Sequence, residues 1–288
     1  MNTVLIIGCG DTGRRVAALH GPTTVCGVAR TDESIARMIE RGIGACRLDL
    51  DTAFGKDDLP ARDRELYYFA PPPASGNHDT RMTRVCAVLQ GENLPRKLVY
   101  ISTTAVYGDC GRAWIDESAT LRPMTARGRR RLDAEQQLLC WGERNRVPVV
   151  VLRVPGIYGP DRLPLERLRQ GLPVLCINDS PYSNRIHVHD LARICRAAMR
   201  HGGAGQVYNV SDGHPSTMTE YFNTIADRFG LPRPPTIERS QAEQQLTAPM
   251  LSYLNESKRI INTRMLKELK VVLDYPDLDA GLRSPADD

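Results

Sequence analysis

The stretch Thr3-Val4-Leu5-Ile6-Ile7-Gly8-Cys9-Gly10-Asp11-Thr12-Gly13, running on into Arg14-Arg15-Val16-Ala17-Ala18-Leu19, decides the fold. A short apolar run with β-branched residues predicts a fully buried strand. The glycines that follow, at GxGxxG spacing, allow a tight turn and a close backbone approach. The helix after them aims its free N–H groups at an anion. Strand, glycine turn and helix in this order predict a dinucleotide pyrophosphate site at Gly8, Cys9, Gly10, Asp11, Thr12 and Gly13. The segment is too short and too glycine-rich for a signal peptide.

Outward from that unit, apolar runs predict further strands at 23–28, 45–48, 66–69, 97–101, 149–153 and 207–210. Between them lie helical segments at 32–42, with Asp32 as N-cap and Gly42 just past the end, and at 79–90 and 129–144. Strands alternating with helices predict an α/β fold: a Rossmann-type doubly wound parallel sheet. Ligands of such sheets lie beyond the carboxyl ends of the strands. Gly8, Arg30, Asp49, Ala70, Ser102 and Pro155 all follow strands and are therefore expected to line one crevice. The expected dinucleotide-binding domain covers 1–160, with a strand and helix returning near 183–212, and a small C-terminal α/β cap occupies most of 161–288. In that later part, Thr217 and Glu220 have capping-box spacing for a helix to Phe229. Residues 258–273 read as a C-terminal helix on the cap.

The chain has 288 residues, enough for one large α/β domain with a small cap. With 38 basic and 34 acidic residues, its net charge of +4 is too balanced for a nucleic-acid binder. No apolar run reaches membrane-spanning length. The eight cysteines lack CxxC spacing and read as small buried hydrophobes of a reducing cytoplasm.

Four motifs in order carry a resemblance: the glycine loop, Tyr100-Ile101-Ser102-Thr103-Thr104-Ala105-Val106-Tyr107-Gly108, Arg153-Val154-Pro155-Gly156-Ile157-Tyr158-Gly159-Pro160, and Arg185-Ile186-His187-Val188-His189-Asp190-Leu191-Ala192. The chain resembles the extended short-chain dehydrogenase/reductases of the NAD-dependent epimerase/dehydratase family, and among them the atypical, YeeZ-like members. One departure is Ile7, where typical members carry glycine. The resemblance implies that Asp49 and Leu50 contact an adenine, Ala70 and Pro71 the central ribose region, and Pro155, Gly156 and Ile157 the nicotinamide end. It also admits a homodimer through the helices near 79–90 and 129–144.

At the end of the second strand, a carboxylate would bind the ribose hydroxyls of NAD, whereas an arginine accommodates the 2′-phosphate of NADP. Arg30 stands there, with Arg14 as a second positive charge, so NADP is the expected cofactor in preference to NAD.

The family's catalysis uses a Ser or Thr with a YxxxK pair. Tyrosine, with an ordinary pKa of about 10, is brought nearer the working pH by lysine and the nicotinamide charge. Here Thr103 falls at the Ser/Thr position. Gly128 and Glu135 match the helix frame, which puts Arg127 where tyrosine belongs and Arg131 where lysine belongs. Arginine stays protonated and cannot serve as the general base. Tyr158 is the candidate replacement, with Tyr107 behind it. Asp79 falls where atypical members carry an aspartate, although a helix cap also accounts for it. His187 and His189 share a strand-face spacing, but a catalytic metal needs a third ligand, so no metal is expected. The basic run 127–131 lacks nearby aromatics for base stacking and fits a solvated helix start, or an anionic small-molecule substrate. Two functions follow: an NADP-dependent epimerase, dehydratase or reductase acting on a sugar nucleotide or small polar substrate, and a non-catalytic NADP sensor.

Overall fold

The computed structural model describes residues 3–284. Seven strands, β1 (Val4–Ile7), β2 (Val25–Ala29), β3 (Gly44–Arg47), β4 (Glu65–Tyr68), β5 (Lys97–Thr103), β6 (Val149–Val154) and β7 (Gln206–Asn209), form one sheet in the order β3-β2-β1-β4-β5-β6-β7. Every neighbouring pair is parallel. The order reverses between β1 and β4, the place where a doubly wound sheet opens its crevice. The fold is the Rossmann-type α/β architecture expected from the sequence.

Side-chain alternation along β1 shows how the layers assemble. Val4 and Ile6 enter one apolar core with α1 (Asp11–His20), α2 (Asp32–Glu40) and, further along, α5 (Val188–His201). Leu5 and Ile7 enter the opposite core with α3 (Thr80–Val88) and α4 (Ala126–Asn145). Smaller apolar clusters around Phe222 and Ile225 of α6 (Met218–Arg228), and around Ile237 and Leu254, build the C-terminal cap. Among the described residues no helix is long and apolar enough to cross a membrane.

Several local expectations are corrected. Thr31, not Asp32, caps α2: its hydroxyl accepts from the Ser34 amide, and Asp32 sits in the first turn, where a carboxylate suits the helix dipole. Gly42, at φ +68, ends that helix as expected. The Thr125 cap starts α4 earlier than residue 129, so Arg127 to Arg131 lie inside the helix. The capping box of Thr217 and Glu220 is present. Residues 258–273 do not form one helix on the cap. Arg259–Ile260 pairs with Trp114–Ile115, and Thr263–Glu268 forms a separate short helix whose Met265 joins the sheet core beside Tyr208. His187 and His189 do not share a strand face either, because the strand Arg185–His187 ends at the first and α5 contains the second.

Candidate active site

Three adjoining cavities run along the carboxyl edge of the sheet. The first, about 250 Å³, is walled by Gly8, Cys9, Arg30, Asp49, Leu50 and Ala70. The second, about 310 Å³, shares Gly8, Gly10 and Pro71 with it and continues past Asp11, Thr12, Gly13, Ser102, Ile157 and Arg131. The third, about 340 Å³, shares Thr103, Arg127 and Pro155 with the second and opens under the cap at Gly156, Tyr182, Glu256 and Lys258. They form one groove.

The glycine loop has the form a pyrophosphate needs. Gly8 has φ +80, and a Cβ there would lie 2.4 Å from the Ala70 amide nitrogen, so only glycine lets the two strand ends meet. A Cβ on Gly13 would lie 3.2 Å from Ile6 Cγ2, which marks close packing of helix on strand. A Cβ on Gly10 meets nothing nearer than Gly8 O at 4.0 Å, so this position borders open groove. The residues present therefore fit a dinucleotide phosphate bridge. Cys9 is fully buried, and burial pushes its thiol up to about 12, leaving it unreactive.

At the β2 end, Arg30 is exposed to the groove and only loosely paired with Asp51, at 3.9 Å. Asp32 is turned away and bound by Arg47 at 2.6 Å. Arg81, which motif reading passed over, grips Asp51 through two nitrogens, at 2.5 and 2.7 Å, and the Pro71 carbonyl at 2.9 Å.

In the middle cavity, Arg162 from the turn Pro160–Arg162 grips Asp11 at 2.7 and 3.0 Å, and Arg15 binds the other carboxylate oxygen at 3.0 Å. Burial raises the Asp11 pKa, but these guanidiniums outweigh it and hold the carboxyl below its ordinary range. Ser102 donates to Glu135, which forms a buried ion pair with Arg153 at 2.8 Å. Arg153 also donates to the Tyr107 hydroxyl at 2.9 Å, and that hydroxyl donates to Asn209 at 2.7 Å. Arg131 is 6% exposed; its Nη1 reaches the Ala70 and Ile101 carbonyls and the Tyr100 hydroxyl at 3.1–3.3 Å. Thr103 Oγ1 accepts from the Ala105 amide at 3.2 Å.

Four expected residues lie elsewhere. Tyr158 is 2% exposed; its hydroxyl donates to the Asp277 carbonyl at 3.0 Å, and its ring packs edge-on against His187. Burial drives its phenol pKa far up, so it is no acid for the groove. Asp79 is fully buried and caps α3 by accepting from the Met82 amide at 3.0 Å. Arg14 lines none of the three cavities; burial, joined by the nearby Arg41 and Arg37 charges and opposed by Asp11, lowers its pKa. Tyr107 is likewise committed to its buried network. The groove residues missed by motif reading, Arg162, Tyr182, Glu256 and Lys258 among them, come from turns and the cap.

The family model of the NAD dependent epimerase/dehydratases matches residues 74–211. A solved structure, a functionally unknown conserved protein from Silicibacter pomeroyi DSS, is 30% identical, covers 98% of this chain and 97% of its own, and superposes with a TM-score of 0.82. The chain belongs to the NAD-dependent epimerase/dehydratase family. Within this family, human dTDP-D-glucose 4,6-dehydratase is 26% identical over 44% of this chain and 39% of its own length. The chain matches less than half the length of each of the curated relatives found. The dTDP-glucose 4,6-dehydratase of Bacillus anthracis str. Ames, solved in complex with NAD, shares the fold at 17% identity, with a TM-score of 0.78 and coverage of 97% of this chain and 94% of that one.

Proposed function

We propose that this chain binds NADP(H) along the groove and acts as an oxidoreductase, epimerase or dehydratase on a sugar nucleotide or small polar molecule held under the cap. The observation that carries this reading is the continuity of the groove, from Arg30 at one end, past the glycine loop, to Thr103 and the cap residues at the other. In this reading Arg30 takes the 2′-phosphate, Gly8 to Gly13 the pyrophosphate, Asp49 and Leu50 the adenine, and Ala70 and Pro71 the central ribose. Pro155, Gly156 and Ile157 form the nicotinamide end, above Ser102 and Arg131. The nicotinamide supplies hydride exchange. Thr103 accepts from the Ala105 amide with one lone pair and keeps its own hydrogen for a substrate oxygen. The human relative's name supports the sugar-nucleotide choice, and the eight free cysteines support a reducing compartment such as the cytoplasm. The absence of a phenol at the position of Arg127 favours a second reading, a protein that senses NADP without turning over a substrate.

The test is a fluorescence titration with NADPH and NADH side by side. A charge-assisted bond from Arg30 to a phosphate is worth about 1.5–3 kcal/mol, or roughly 10- to 150-fold in affinity. NADPH is expected to bind that much more tightly, and Arg30→Asp to erase the difference. Equal affinities would refute the NADP preference, and failure of both to bind would refute the cofactor site.

A further inference from the structure

The charges of the groove do not cancel where its middle and outer cavities meet. Asp11 is engaged by Arg15 and Arg162, and Glu256 by Lys258 at 2.7 Å. Glu135, on α4, is engaged by Arg153 and Ser102. This leaves Arg127 without a carboxylate among the described residues, while Arg131 makes no ion pair and feels only the more distant buried Asp79. The acceptors around Arg131 are two carbonyls and the Tyr100 phenol, which burial pushes up to about 12 and so keeps neutral. Arg127 makes no hydrogen bond or ion pair among the described residues, is exposed, and lines both cavities beside Thr103 and Pro155. The two arginines stand four residues apart in α4, hence on one helix face and about 6 Å apart along it.

We infer that Arg127, backed by the buried charge of Arg131, is an anion subsite that takes an oxyanion, a carboxylate or phosphate, carried by the reacting part of the substrate. This rests on the reading of the groove as a cofactor and substrate cleft. The guanidinium fork matches an oxyanion through two parallel N–H bonds. Because Arg127 and Thr103 border the same stretch of groove, the anion lies close to the oxygen that Thr103 would touch. A neutral ring at this point would leave the Arg127 guanidinium with no partner but solvent.

The test is calorimetric titration of the full chain at low ionic strength with oxalate, inorganic phosphate and neutral oxamide, each with and without saturating NADPH. Wild type is expected to bind an anion and ignore oxamide. Arg127→Gln should weaken that binding at least tenfold and Arg127→Lys less; both should keep the wild-type Tm, because the side chain is exposed and unbonded. The tighter of oxalate and phosphate identifies the group as carboxylate or phosphate. Equal affinity in wild type and Arg127→Gln, or no anion binding by wild type, overturns the subsite, whether or not NADPH binds. Anion binding that depends on Arg127 in a protein that fails to bind NADPH upholds the subsite and refutes the cofactor reading.

Discussion

Replacing Arg153 by Met tests the floor on which the groove is built. Arg153 and Glu135 have side chains only 5% and 2% exposed, and Arg153 reaches Glu135 through Nε and Nη2, at 2.8–3.3 Å. Methionine fills much of the volume but leaves Glu135 with the Ser102 hydroxyl as its one remaining partner. Removing one member of a buried pair costs about 3–5 kcal/mol, which for a chain of this size lowers Tm by roughly 6–20 °C. The Tyr107 hydroxyl also loses its donor from Arg153. The loss should depend on pH in one direction. Without its counter-charge, buried Glu135 acquires a folded pKa above the unfolded value of about 4.3. The folded variant then holds a proton that the unfolded chain gives up, so its stability falls as pH rises above the ordinary carboxylate range. Urea unfolding at pH 5 and pH 8 measures both effects, and adding Glu135→Gln should restore part of the loss at pH 8. A loss below about 1 kcal/mol, or equal losses at the two pH values, would refute the assignment of Glu135 as a charge held by Arg153.

Gly10→Ala should leave the fold within about 1 kcal/mol of wild type, because its Cβ meets only open groove, yet weaken NADPH binding at least tenfold in the same fluorescence titration. Gly8→Ala should instead lower Tm sharply in a thermal melt, since its Cβ would collide with the Ala70 backbone at a positive φ. Asp79→Asn keeps the cap on α3. Because burial raises the Asp79 pKa and its Oδ2 has no hydrogen-bond partner, the native aspartate loses stability as pH rises through that raised value. Urea melts should therefore show Asn matching Asp near pH 4 and exceeding it by about 1 kcal/mol at pH 8.

The sheet was legible because each strand announces itself locally. Val4 to Ile7 and Val149 to Leu152 are apolar on both faces, as a strand covered on both sides must be. The glycine loop was legible for the same reason, since its spacing lies within six residues, although the close approach that Gly8 allows is to distant Ala70. Tyr158 was not. It follows a sheet strand and sits in a family loop, but what buries it is the segment around Asp277 and Gly281, more than a hundred residues away. Asp79 shows the intermediate case: its local role as a cap was visible, while its full burial depends on α4, whose Asp133 accepts from its backbone amide at 2.7 Å. Arg162 was invisible because its partner Asp11 lies at the other end of the domain. The break at 261–263 between a short strand and a short helix likewise reflects two different neighbours, residues 114–115 on one side and the sheet core on the other.

On the proposed reading, in which Arg127 and Arg131 stand where the family resemblance places a tyrosine and a lysine, this floor can do different work. A phenol trades a proton near its own pKa, whereas a guanidinium keeps its protons at every pH the fold survives. Two such groups stabilise negative charge, and do so strongly where one is buried and the groove is narrow. They do not supply or remove a proton. A reaction on this floor that moves one must route it through Thr103, through water, or through a phenol of the outer cavity. Only Tyr182 and Tyr253 line the groove among the described tyrosines. Tyr182 lies beneath the guanidiniums of Arg112 and Arg259, at 5.6 and 4.9 Å from its ring centre. On the proposed reading, the proton route therefore lies toward the cap, where these two phenols stand, and not at the arginine pair.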